Sequence, residues 1–244
     1  MAYKKETLKK YMDIMHAAMH AARVELDMHP GMAFHNVTIS KGNTKIGNVH
    51  NVSLAPIVTC GNCSHCSGFC YDIKAALFHT NSVVPARAMN TVIATEHRDA
   101  YFTYIRQYIK RRSGKRSHKF FRWHVGGEII DFQYFAEMVE TARMFPEWHF
   151  WTYTKMHGIV NLYVQKYGRD AIPNNFVIMF SEWDGMPMHN PYNFPVFTCK
   201  LKEGNKNHTA EYFDTLWKCP GNCNICKDLH RGCIAGETTY ADEH

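Results

Sequence analysis

No apolar run of about 18 residues occurs in this 244-residue chain, so a membrane-spanning helix is not expected. Met1 to Asp27 scatters charges and lacks the continuous apolar core of a secretory signal, which predicts a cytoplasmic protein. Neither sign of charge dominates: 28 Lys and Arg face 22 Asp and Glu, for +6 with His neutral. That surplus is too small to announce a nucleic-acid protein. There is no Walker loop, no dinucleotide fingerprint and no local serine-nucleophile signature, which excludes the chemistries those motifs carry. Repeats and low-complexity tracts are absent too. What remains, 45% hydrophobic and 14% aromatic, is ordinary globular material with ample core.

Cysteine is where the composition departs from the ordinary. Of nine cysteines, eight fall in two tight groups. An odd count without a leader argues against a secreted disulfide scaffold. Thiols two or three residues apart pair poorly with each other but converge well on one metal centre. The first group is Cys60-x2-Cys63-x2-Cys66-x3-Cys70, the spacing of bacterial ferredoxin clusters, with Tyr71 where those have proline. The second is Cys219-Pro-Gly-Asn-Cys223-x2-Cys226-x6-Cys233. Both sets suit [4Fe–4S] clusters, one or two in all. Zinc is the alternative, since thiolate selects both, although neither group has the two-pair layout of a zinc knuckle. Cys199 stands alone and reads as a buried apolar side chain.

The pattern along the chain predicts an α/β fold. Leu8, Met12, Met15, Met19 and Ala22 form a helical stripe that Pro30-Gly31 ends. Residues 34–40 and 45–51 are strand candidates around the turn Lys41-Gly42-Asn43, and 52–59 is an apolar run leading into Cys60. Helices are expected over 71–78 and 86–112. Strands (119–125, 148–154, 175–181, 194–198) then alternate with helices (131–144, 157–167), which implies βαβ units and a parallel sheet, open or curled into a partial barrel. A short helix over 209–217 precedes the second cysteine group. The expected organisation is an N-terminal helix (1–33), an α/β domain carrying the first cysteine loop (34–217), and a metal-held appendage outside the sheet (218–244).

Several stretches are familiar. Gly42-Asn43-Thr44-Lys45-Ile46-Gly47, Ser53-Leu54-Ala55-Pro56, Thr59-Cys60 and Cys70-Tyr71-x2-Lys74-Ala75 resemble the phage gene product 88 family. So do Arg122-x-His124-x-Gly126-Gly127-Glu128, Phe150-Trp151-x-Tyr153-Thr154-Lys155 and the Cys219-Pro-Gly-Asn-Cys223-x2-Cys226 segment. The likeness runs from about Phe34 to the second cysteine group and implies a phage protein of the host cytoplasm, without an activity. A looser resemblance links the chain to radical S-adenosylmethionine (SAM) enzymes. Those place a cluster loop after the first strand of a partial β/α barrel and a Gly-Gly-Glu motif after the second, where it holds the SAM amino group. Gly126-Gly127-Glu128 occupies that place here. The cluster motif differs: four thiols in the first group leave no open iron, whereas the radical SAM motif supplies three.

Other residues complete the set of candidates. Arg122, His124, Lys155 and Glu128 sit at or after predicted strand ends, where α/β folds place ligands. The alternative for each is a structural or surface role. Glu182 and Asp184 form a carboxylate pair at a third strand end. Residues 110–119 hold six Lys or Arg in ten, enough for weak phosphate contact to nucleic acid, although a solvated loop explains them as simply. Three functions follow as expectations. They are a cluster-bearing redox protein with an electron donor or acceptor as partner, a radical-SAM-type enzyme, and a zinc-stabilised nucleic-acid-binding protein.

Overall fold

The computed structural model describes residues 3–43, 46–61, 66–114 and 119–243. They divide into two compact units. The first comprises Met1–Ser40, Val52–Ser117 and His124–Ile130, and the second comprises Lys41–Asn51, His118–Trp123 and Asp131–His244.

In the first unit, helix α1 (Lys5–Met28) buries Tyr11, Met15, Met19, Ala22 and Leu26. That is the expected stripe, entered through Tyr11, with Leu8 and Met12 only half-buried. Pro30 opens a 3-10 turn, Pro30–Phe34, because its fixed φ suits a first helical position. This turn consumes the start of the expected strand over 34–40 and leaves only β1 (Ile39–Ser40). Helix α2 (Tyr71–Phe78) falls where the sequence predicts it. The single helix expected over 86–112 is two, α3 (Val83–Glu96) and α4 (Arg98–Ser113). His97 breaks the run at φ −134°, ψ 49°, then accepts from Tyr101 N–H to start α4. Asn90, almost fully buried on α3, bonds Thr38 through both its amide oxygen and nitrogen and also donates to the Ser53 carbonyl. Thr91 Oγ1 accepts from Ala55 N–H. These bonds fix the segment that leads into the first cysteine group.

Among the described residues, eight strands form a sheet that does not close into a barrel. Strand β2 (His50–Val52) lies later than the expected 45–51. Within the second unit, β3 (Phe120–Trp123), β4 (His149–Thr154), β5 (Phe176–Ser181) and β6 (Val196–Lys200) follow one another in parallel, as the alternation predicts. Helices α5 (Phe132–Met144, capped by Asp131) and α6 (His157–Tyr167) supply the crossovers. Strand β6 begins two residues later than expected, since Pro195 has no N–H to give a ladder. The helix over 209–217 shrinks to α7 (Ala210–Asp214), and Trp217–Lys218 form strand β7 instead.

The expected appendage is the largest correction. Residues 218–244 contribute helix α8 (Cys223–Leu229) and strand β8 (Thr239–Asp242). Strand β8 pairs in parallel with both β6 and β7, giving the order β6-β8-β7. Thr239 and Tyr240 are buried there, and a half-buried run of four, too short to show a period, concealed the strand.

Two candidate cysteine centres

The first centre belongs to the first unit. Val52 to Pro56 is wholly buried and bonds the chain after β3: His124 N–H donates to the Val52 carbonyl and Leu54 N–H to that of Gly126. Gly126 and Gly127 are required by this close approach. A Cβ on Gly126 would stand 1.8 Å from Asp72 Oδ2, and one on Gly127 would stand 2.6 Å from Leu54 Cβ and 2.9 Å from Thr59 Oγ1. Asp72 cannot yield easily, because it is buried and holds Arg87 by two bonds of 2.8 and 3.1 Å. Thr59 Oγ1 donates to the Ala55 carbonyl and accepts from Glu128 N–H, so the residue before Cys60 is tied to Glu128. The Glu128 carboxylate is buried and accepts from Ile129 N–H. Two non-glycine residues adopt left-handed backbone here, Ile57 (φ 67°) and His124 (φ 55°). For the β-branched Ile57 this conformation is costly, and strain of this kind gathers at functional segments.

Cys60, Cys66 and Cys70 are partly buried free thiols, and Cys63 lies outside the described residues. Cys70 caps α2. Burial pushes its thiol up to about 11, partly offset by the Ile73 and Asp72 N–H groups that point at the sulfur. Cys60 lies near enough to Cys70 to affect it electrostatically.

The second centre belongs to the second unit and is built differently. Asn222 caps α8 by accepting from Asn224 N–H, and the helix sets Cys223 and Cys226 one turn apart on one face. Cys219 follows β7, where its N–H donates to the Tyr240 carbonyl, and Cys233 sits in the 3-10 turn Gly232–Ala235. Cys219 couples electrostatically to Cys223, Cys226 and Cys233, so the four thiols gather in one region. Cys233 is the deepest. Burial pushes its thiol up to about 12 against the opposing pull of hydrogen bonds to Tyr153 and Thr239. Burial likewise raises Cys223, opposed by the cations Arg122 and Lys227, and Cys226, opposed by the Trp217 indole.

Aromatic and cationic side chains line this centre. Arg122 lies over the Tyr153 ring at 4.6 Å, and Lys227, itself buried, lies over Phe120 and bonds Asn224 Oδ1 at 3.0 Å. The Trp217 indole N–H faces the Cys226 sulfur without reaching ordinary hydrogen-bond geometry, and Trp151 Nε1, packed with Cys226, is buried with no bonded acceptor. Gly47, in the turn preceding β2, accommodates Asn224: a Cβ there would stand 2.2 Å from its Oδ1.

The other sequence candidates fall as follows. Lys155 Nζ donates to Ser181 Oγ at 3.1 Å. Glu182 is buried and bonds His208 at 2.6 Å, a partner that sequence spacing could not reveal. Asp184 accepts from the Lys206 and Asn207 N–H groups and so serves as a loop tie. Cys199 lies half-buried in β6, more exposed than expected. Lys110, Arg111 and Arg112 close α4, while 115–118 lie outside the described residues. No described helix is long and apolar enough to cross a membrane. Among the described residues, no three His, Cys, Asp or Glu side chains are arranged to hold a single metal ion. Sequence reasoning gave no site role to Thr239 or Trp217, and quoted Tyr153 only within the Phe150-Trp151-x-Tyr153-Thr154-Lys155 stretch, where it alternates onto the same strand face as Trp151 and Lys155.

No curated protein matches the chain, nor does any solved structure. One family does: the gene product 88 pattern matches residues 33–193, about two thirds of the sequence. That span contains the Gly42–Gly47 turn, the first cysteine loop, the Gly126-Gly127-Glu128 turn and the Tyr153 strand. The chain therefore belongs to the phage gene product 88 family.

Proposed function

We propose that this chain is an iron–sulfur protein whose two cysteine sets each hold a [4Fe–4S] cluster for electron transfer with a redox partner. Cys219, Cys223, Cys226 and Cys233 would hold one, and Cys60, Cys63, Cys66 and Cys70 the other. The observation that carries the reading is the lining of the second centre. Four clustered thiols face two cations, the Tyr153 hydroxyl and two buried indole N–H groups lacking a bonded acceptor. Sulfur anions of a cluster accept such donors, and the cations offset the charge that four thiolates bring. When bound, a cluster supplies one-electron redox chemistry. This chain's part is to bury it, donate to its sulfurs and tune its potential. Zinc fits less well. Neither set has the two-pair layout of structural zinc sites with four cysteines.

A radical-SAM-like scaffold, with SAM bound by Glu128, is the second reading. It is favoured by the bond from Glu128 N–H to Thr59, which ties that turn to the start of the first cysteine loop. The parallel run from β3 to β6 also suits that scaffold. Anaerobic purification with iron and sulfide quantitation tests the main reading. A brown protein with acid-labile sulfide is expected, and a colourless, metal-free, folded protein would sink it. Addition of SAM to the reduced protein tests the second: a changed EPR signal that Glu128→Ala abolishes, with iron content intact, would establish it.

A further inference from the structure

Within the second unit, a cavity of about 320 Å³ lies at the amino-terminal ends of strands β3, β4 and β5. That volume is at the small end of the range for ligand sites, and this edge of the sheet is opposite the one that α/β folds usually give to ligands. Phe120 and His149, register partners at the first positions of β3 and β4, line it. So do Val177 of β5 and Ile234 of the turn after α8. Asn174, His230 and Ala235 are exposed and form the rim.

Three features of this lining bear on what fits. The Phe120 and His149 rings stand 5.7 Å apart and tilted by 54°, and rings favour the face or edge of another ring. Among the described residues that line the cavity there is no Asp, Glu, Lys or Arg, so a charged guest would lose its water with no ion to replace it. Burial lowers the His149 pKa below its ordinary 6.5; the Ile234 backbone opposes the fall and His230 adds to it, so the imidazole is neutral at pH 7. His149 Nε2 is buried with no hydrogen-bond partner, and a polar atom left so costs about 1 to 3 kcal/mol. At the rim, His230 ends α8 in left-handed backbone (φ 50°), where glycine is the usual residue.

We infer that this cavity binds a small, uncharged, planar aromatic molecule of one or two rings, packed against Phe120 and His149 and hydrogen-bonded through one polar group to His149 Nε2. The site goes beyond the iron–sulfur reading and does not rest on it. Phe120, Val177 and Ile234 also pack with Trp151 and Cys226, so the bound ring is a neighbour of the apolar lining of the second cysteine set.

The test titrates the full chain at pH 7 with 1-naphthol by calorimetry, beside its saturated counterpart decahydro-1-naphthol and its anionic counterpart 1-naphthoate. Saturable one-site binding of 1-naphthol is expected, with each counterpart about tenfold weaker or more. His149→Phe keeps a ring and removes the nitrogen, and should weaken 1-naphthol about tenfold. Val177→Phe fills the cavity and should abolish binding; Ala235→Leu, at the exposed rim, should weaken it in a chain whose urea unfolding is unchanged. No binding of 1-naphthol, or equal binding to wild type and both filled variants, would overturn the site. Equal affinity for the saturated alcohol would overturn the aromatic preference, equal affinity for the carboxylate the preference for an uncharged guest, and an unchanged His149→Phe the role of Nε2.

Discussion

The two cysteine sets solve one problem by opposite means. The described flanks of the first are tied to residues outside it: Asp72 holds Arg87, Gly126 and Gly127 pack close alongside, and the Tyr3 and Tyr11 hydroxyls donate to the Cys70 and Pro56 carbonyls. The second grows from regular structure, with two thiols on one face of α8, one after β7 and one in the turn ahead of β8. Burial follows the same division. The second set contains the buried thiols Cys226 and Cys233, while those described in the first are all partly exposed. Loops held from outside exchange ligands and substrates readily, whereas a site inside a sheet edge is shielded. Under the proposed iron–sulfur reading, the contrast predicts that the second set would shield its cluster better than the first.

The largest effect should come from Gly126→Ala, whose methyl would strike a carboxylate pinned by Arg87. A loss of roughly 3 kcal/mol in urea unfolding is expected. Asp72→Ala should cost a similar amount, roughly 3 kcal/mol, by stranding Arg87. The double variant should lose clearly less than the two together, since removing the carboxylate makes room for the methyl. Additive losses would mean that the glycine is not there for Asp72. In the second unit, Gly232→Ala meets both a φ of 66° and Trp217 Cδ1 at 2.6 Å. About 2 kcal/mol is expected there, with alkylation rising at the second set alone.

Smaller, and sharper for the metal, is Trp217→Phe. It should cost about 1 kcal/mol more in reconstituted protein than in metal-free protein, because only the cluster accepts the indole N–H. Equal costs in the two states would remove Trp217 from the site. Smallest is the ordering of thiols by pH. Burial raises both Cys70 and Cys233 from an ordinary 9.0, to about 11 and about 12. Neutral thiols favoured in the fold stabilise it below the unfolded value, and that stability fades as pH rises through the folded ones. Metal-free protein should therefore weaken from about pH 9 upward, with Cys70 alkylated before Cys233. The reverse order would undo the contrast in depth.

The sequence was most legible where local pattern and tertiary role agree. Residues 71–78 and 157–167 are helices as read, since apolar spacing and burial coincide there. Both cysteine groups and the Gly-Gly-Glu turn were visible as motifs, yet their partners were not. Nothing in the spacing says that Asp72 excludes a side chain at Gly126, that Glu182 meets His208, or that Asn224 fills the space beside Gly47. Such contacts join residues that only the fold makes neighbours. His97 hid its helix break because histidine carries no breaker signal. The C-terminal segment misled because cysteine, glycine and proline suggest a loop, while β8 gains its stability from the ladders on either side.

That strand has a consequence for assembly. Strands β6 and β7 are made first and are neighbours along the chain, yet neither bonds the other: β8, synthesised last of the three, slots between them. Until it arrives, two unsatisfied ladders flank an open slot, and four thiols lie in the connection that must swing it home. Oxidation of the nascent polypeptide at this stage would cross-link sulfur before the seam closes, so the topology alone predicts that this part of the chain folds best under reducing conditions.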